Sequence, residues 1–147
     1  MPPLISSLLP SLTNCESWSK EHQQELSRLF PSLKALLVRE SLTEFARLVG
    51  FEPAAHHRII IRELEAVAGG ENDRLILTLP PGSAKSTFAS VLFPPWYLAQ
   101  VPDRSIIAAS HTLELAERWG RRVRNLVEEH SAVLGYRLAP DNAAAGR

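Results

Sequence analysis

Hydrophobic positions along the chain change their period as it is read from one end to the other. Ser41-Leu42-Thr43-Glu44 has the form of a capping box, and Leu42, Phe45, Leu48 and Val49 fall on one helical face before Gly50. The pattern predicts a short helix closed by a C-terminal glycine. Pro53 opens a second predicted helix that runs to about Ala68, with Ile60, Leu64, Val67 and Ala68 at helical spacing and Gly69-Gly70 as its stop. At Arg74 the period shortens. RLILTL is a mostly apolar, β-prone run between a polar turn, Glu71-Asn72-Asp73, and Pro80-Pro81, which predicts a buried parallel strand. A loop of small residues follows, then a helix from Ser86 to about Phe93, cut by Pro94-Pro95, with Trp96, Tyr97 and Leu98 carrying the apolar face through one more turn. RSIIAAS, from Arg104 to Ser110, predicts a second buried strand.

Residues 74–110 therefore predict a β-loop-α-β unit of 37 residues and two parallel strands, an α/β arrangement with helices flanking a partial sheet. The longest amphipathic stripe, Thr112 to about His130, carries Leu113, Ala116, Trp119, Val123, Leu126 and Val127 on one side. Glu114/Arg118 and Glu117/Arg121 are set as i,i+4 pairs opposite. Residues 1–40 read as a mostly helical N-terminal extension, punctuated by Pro2, Pro3, Pro10 and Pro31, with helix-like sequence from Ser19 to Phe30. The main domain is 41–147. Its tail from Ser131 onward shows no periodicity.

Composition narrows the function classes. Sixteen basic and sixteen acidic side chains leave no net charge, so any nucleic-acid contact has to be local. No run approaches the roughly 18 apolar residues of a membrane helix, and the opening MPPLISSLLPSL lacks the cationic start of a secretory signal, so a cytoplasmic protein with no membrane partner is expected. The lone Cys15 has no internal partner for a disulfide, and no Cys/His cluster has zinc spacing.

The sharpest chemical feature is LTLPPGSAKST, in which a predicted strand runs into a small-residue loop and then a helix that opens on Lys-Ser. Phosphate binding needs successive backbone N–H groups facing one concavity, a helix N-terminus, a lysine for the terminal phosphates and a hydroxyl for magnesium. On this reading Gly82, Ser83, Ala84 and Lys85 supply the amide cradle. Lys85 is the phosphate lysine, Ser86 the magnesium hydroxyl and Thr87 a secondary candidate, with ATP and Mg as cofactors. The strict GxxxxGK[ST] pattern is not met, because Leu79 and Ala84 stand where its two glycines belong. Alanine before the lysine is costly if that position needs a left-handed backbone and mildly stabilising if it does not.

From Phe51 onward, FEPAAHHRIIIRELEAVAGGENDRLILTLPPGSAKST and FPPWYLAQVPDRSIIAASHTLELAERWGRRVRNLV together resemble the start of the ATPase domain of tailed-bacteriophage terminase large subunits, over about two thirds of the chain. The shared features are Pro-Pro before a degenerate Walker A loop, a Pro-Trp-Tyr stretch after the loop helix, and an Ala-Ser strand end before an Ala-Glu-x-x-Gly-Arg-x-Val-Arg helix. The resemblance implies a P-loop NTPase fold and an ATP-driven motor that packages double-stranded DNA into procapsids. Implied partners are a portal protein, a small terminase subunit and further copies of the motor in a homo-oligomeric ring. It also implies a C-terminal nuclease domain and a site in the bacterial host cytoplasm. By position it gives Lys85 and Ser86 the phosphate and magnesium roles and brings Phe51 and His57 near the adenine. Capping and packing at a helix start is the other reading of these two residues.

Hydrolysis in such a fold requires an acidic pair at the end of an apolar strand. The only adjacent acidic pair, Glu128-Glu129, ends an amphipathic helix instead. The expectation is a truncated large subunit that carries the nucleotide loop without the acidic motif or the nuclease domain. A non-catalytic nucleotide-binding or assembly fragment completed by another chain is the alternative, and a small unrelated P-loop kinase is disfavoured by having only two strands in view. His56-His57 lacks a carboxylate suited to metal binding, His111 reads as a polar helix start, and Arg118, Arg121, Arg122 and Arg124 read as a solvated face or a phosphate contact.

Overall fold

The computed structural model describes residues 20–139, with side chains from residue 29 onward. The first residue of the expected Ser19–Phe30 patch, Cys15, and the tail from Pro140 lie outside the described residues. Five α-helices are present among the described residues: α1 (Lys20–Glu40), α2 (Leu42–Leu48), α3 (Ala55–Ala68), α4 (Phe93–Gln100) and α5 (Leu113–Leu134), with a π-helical segment, Thr87–Leu92, running directly into α4. The chain divides into two units at Leu33/Lys34, a point inside α1. Apart from the course of α1, everything described below belongs to the second.

Most helix signals read from the sequence act as expected, although only one half of the expected capping box forms, since the Ser41 amide donates to the Leu37 carbonyl and the Glu44 carboxylate accepts from Arg47. The Ser41 hydroxyl accepts from the Glu44 amide at the start of α2, and Thr112 does the same for Leu115 at the start of α5. α2 and α3 end alike. Phe51 donates to the Ala46 carbonyl across Gly50, and Glu71 donates to the Ala66 carbonyl across Gly70. Leu42, Phe45 and Ala46 from α2 meet Ile60, Ile61 and Leu64 from α3, and Phe88, Leu92, Trp96, Val127 and Leu134 complete the core. Burying a large apolar side chain contributes about 1.5–3 kcal/mol, so this cluster is the main source of stability.

The expected α/β sheet is not formed. No β-strand occurs among the described residues, and the P-loop NTPase fold with two parallel strands is overturned by an all-helical architecture. Residues 74–79 and 104–110 lie outside every helix and turn to neither ladder nor helix for their hydrogen bonds. The physical reason lies in what covers them. A parallel strand is stable when both of its faces are buried, whereas here Leu75, Leu77 and Leu79 rest on the helical core while Ile76, between them, is 91% exposed. Residues 104–109 are exposed throughout, Ile107 to 94%. With only one face covered, the first run is a rim on a helical body.

Three helix boundaries also differ from expectation. α1 continues through Pro31 to Glu40. Pro94-Pro95 does not cut its helix, because the segment before it widens: the Phe93 amide bonds to the Phe88 carbonyl five residues back. A wider turn relieves the clash between a proline ring and the carbonyl one turn behind it. Finally, α5 kinks at His130, which leaves helical geometry (φ −111°, ψ 19°) and stands edge-on to Phe45 with ring centroids 6.3 Å apart. It then runs one more turn and delivers Leu134 to the core. Of the two expected charge pairs on α5, Glu117/Arg121 forms at 3.4 Å, and Glu114/Arg118 is not among the ion pairs of the described residues.

Candidate functional site

The loop that carries the phosphate-binding signal joins the half-covered rim 74–79 to the helix that continues into α4. Pro80-Pro81-Gly82-Ser83 forms a tight turn closed by a bond from the Ser83 amide to the Pro80 carbonyl at 3.3 Å. Proline at its second position and Gly82 at φ 82° at its third are what a type II turn requires. Two residues later Ala84 sits at φ 55°, the only described non-glycine residue with positive φ. The left-handed region costs an L-residue roughly 1–2 kcal/mol. The question left open by the sequence is thereby answered: the position before the lysine does adopt the backbone that glycine favours, and Ala84 adopts it under strain.

Negative φ at Pro81 and Ser83 alternates with positive φ at Gly82 and Ala84, an order that turns successive amides toward one side. The helix then starts, with Phe88 as the first residue to bond back, to the Ala84 carbonyl at 3.1 Å. The amides of Lys85, Ser86 and Thr87 precede that bond and have no carbonyl one turn behind them to accept. Residues Pro80 through Thr87 line a single cavity of about 480 Å³. Lys85 is folded back, its Nζ donating to the Leu79 carbonyl at 3.0 Å. The Ser83 hydroxyl is buried with no hydrogen-bond partner among the described residues.

Gly82, Ser83, Ala84, Lys85, Ser86 and Thr87 are therefore brought together around one concavity. His57 reaches the same region from α3. Its ring stacks on Phe88, centroids 4.6 Å apart, and its other neighbour is the His56 ring at 3.9 Å. Its Nδ1 accepts from the Ala54 amide at 3.2 Å, which caps α3. Burial pushes the His57 pKa down and the neighbouring His56 adds to this, while a backbone hydrogen bond with Ser83 opposes both. Phe51 meets the opposite part of the cluster, edge-on to Phe88 at 6.5 Å. Both aromatic candidates thus connect to the loop through Phe88, a buried residue whose packing role the hydrophobic pattern alone did not single out.

The other candidates lie apart from this loop. Glu128 and Glu129 are exposed on α5, and His111 is exposed just before the Thr112 cap. Among the described residues no three His, Cys, Asp or Glu side chains converge as a metal site would require, so a magnesium ion at the loop would depend on Ser86 and on the phosphates themselves. No described helix is long and apolar enough to cross a membrane. Compared with family models, with curated proteins and with solved structures, the chain matches none.

Proposed function

We propose that the Pro80–Thr87 loop binds the phosphates of ATP together with Mg. The observation that carries this reading is Ala84 at φ 55° immediately before Lys85. A residue is held in a strained backbone only where its surroundings impose it, and such strain clusters at ligand sites. Lys85 would exchange the Leu79 carbonyl for a phosphate oxygen, the amides from Gly82 to Lys85 would form the cradle, and Ser86 would supply the magnesium hydroxyl. Magnesium in such a site neutralises phosphate charge. Thr87 would be a secondary hydroxyl at the site, and Phe51 and His57, which pack on Phe88, would lie toward the base.

The setting suggested by the motifs is the nucleotide-binding part of a terminase-like DNA-packaging motor in the host cytoplasm. It would act on double-stranded DNA with a portal protein, a small terminase subunit and further copies in a ring. This part of the proposal rests on the sequence resemblance alone. The competing reading is a non-catalytic nucleotide-binding or assembly element completed by another chain, and the placement of the only adjacent acidic pair on the exposed face of α5 favours binding without hydrolysis.

Titration calorimetry of the chain with ATP and Mg tests the binding. Saturable binding that Lys85→Ala weakens at least tenfold, with helical circular dichroism unchanged, is the expected result. Equal binding by that variant, or none by the parent chain, overturns the reading. DNA-stimulated hydrolysis would decide for the motor over the non-catalytic alternative.

A further inference from the structure

Ala84 is strained at φ 55°, and the backbone of its own loop does not hold it there. The peptide before Ser83 is fixed by the Ser83 amide, which donates to the Pro80 carbonyl, and the peptide after Ala84 is fixed by the Ala84 carbonyl, which accepts from Phe88. The peptide between Ser83 and Ala84 makes no backbone hydrogen bond among the described residues. Turning that one unit over would carry Ala84 to negative φ and remove the steric cost. A restraint from outside the loop has to oppose the turn.

His57 of α3 meets the requirement. Its Nδ1 accepts from the Ala54 amide at 3.2 Å, so in the neutral ring the proton sits on Nε2. Phe88, on which the ring stacks with centroids 4.6 Å apart, sets the plane of the imidazole beside the loop. The backbone hydrogen bond between His57 and Ser83 is then a donation, and the Ser83 carbonyl is the group that receives it. A trans peptide points its C=O and its N–H to opposite sides. With the Ser83 carbonyl turned to α3, the Ala84 amide is aimed away from His57, and Ala84, unlike His57, lines the cavity of about 480 Å³. We infer that His57 is a positioning residue for the phosphate loop, holding the Ser83–Ala84 peptide in the orientation that strains Ala84 and presents its amide to a phosphate. The phosphate comes from the reading given above; the hold on the backbone does not depend on it.

Denaturation midpoints of the full chain test that hold without a ligand. Ala84→Gly is expected to raise the midpoint in the parent and in a His57→Gln background, since a glutamine amide can both accept from Ala54 and donate to Ser83. In a His57→Glu background, which keeps the cap acceptor but has no N–H, the same change is expected to lower it, because Ala84 has turned over and glycine then only loosens the unfolded chain. His57→Asn, neutral and too short to span both groups, serves in its place where the Glu variant does not fold. A rise in every background overturns the inference. So does a fall with Gln, which would assign the hold to packing on Phe88. Titration calorimetry with ATP and Mg reads the consequence: binding about tenfold weaker in His57→Asn and within about threefold of the parent in His57→Gln. Equal binding by the parent and His57→Asn overturns the positioning role. No binding by any of these chains, with midpoints as expected, overturns the phosphate reading and leaves the hold on the backbone standing.

Discussion

The Leu42 amide, first in α2, donates to the Glu65 carboxylate of α3 at 2.8 Å, so one helix supplies the cap of the other. Glu65 is half-buried, and its pKa is raised because burial penalises the charge more than the Leu42 amide rewards it. A raised carboxyl pKa means that the folded chain holds the proton more tightly than the unfolded one. Stability from this group is therefore greatest below the unfolded pKa and declines as pH rises through the folded value. Glu65→Gln keeps an acceptor for Leu42 and removes the charge. It is expected to match or exceed the parent in thermal stability at pH 7 and to lose this pH dependence. Glu65→Ala leaves the Leu42 amide without its partner and should cost about 1–3 kcal/mol. Denaturant titrations across the acidic and neutral range separate the two.

Ala84→Gly should stabilise the chain by about 1 kcal/mol, because glycine takes positive φ without the steric cost that Ala84 bears. Were Ala84 unstrained, the same change would destabilise through the unfolded state, so the sign of the shift in denaturation midpoint is the test. ATP affinity should hold or rise.

Gly135 combines φ 81° with the close approach of the Arg39 guanidinium, whose Cζ would stand 2.7 Å from an added Cβ. That arginine is itself held by a bond from its Nε to the Val133 carbonyl at 2.7 Å. Gly135→Ala is expected to cost roughly 2–4 kcal/mol, from backbone strain plus displacement of Arg39. Adding Arg39→Ala should return only the steric part, and a double-mutant cycle measures that coupling.

Tyr136 donates its hydroxyl to the Pro95 carbonyl at 2.9 Å, and burial pushes its pKa up to about 12. Since the folded value exceeds the unfolded one of about 10, its contribution is intact below pH 10 and disappears as pH climbs toward 12. Tyr136→Phe should lower stability by about 1 kcal/mol at pH 7 and flatten that alkaline decline. Chemical unfolding at neutral and alkaline pH provides the check.

Local rules carried much of what is seen. Ser41, Thr112, Gly50 and Gly70 act on the backbone within a few residues of themselves, and Ile60, Leu64 and Val127 were legible because helical spacing fixes which face they share. The phosphate-loop residues cluster because they are contiguous. What could not be read depends on partners distant in the chain. RLILTL has the composition of a strand, but a strand exists only where a second backbone lies alongside, and a parallel one only where both faces are also covered, and no property of those six residues supplies either. Pro94-Pro95 signals a break until the turn before it widens. Tyr136 shows no periodicity because a single hydrogen bond and its burial, not a stripe, hold it.

From Lys85 to Gln100 the backbone is helical without a break, π-helical over Thr87–Leu92, with the strained loop at one end. Tyr136 fastens to it at Pro95, well toward the other end, and Trp96 beside that point is buried in the core. Phe88, Val91 and Leu92 are buried as well, so the segment is clamped along its length and not at one point. Exchange of the Leu79 carbonyl for another acceptor would therefore ask only the Lys85 side chain to move, over a scaffold that is already fixed.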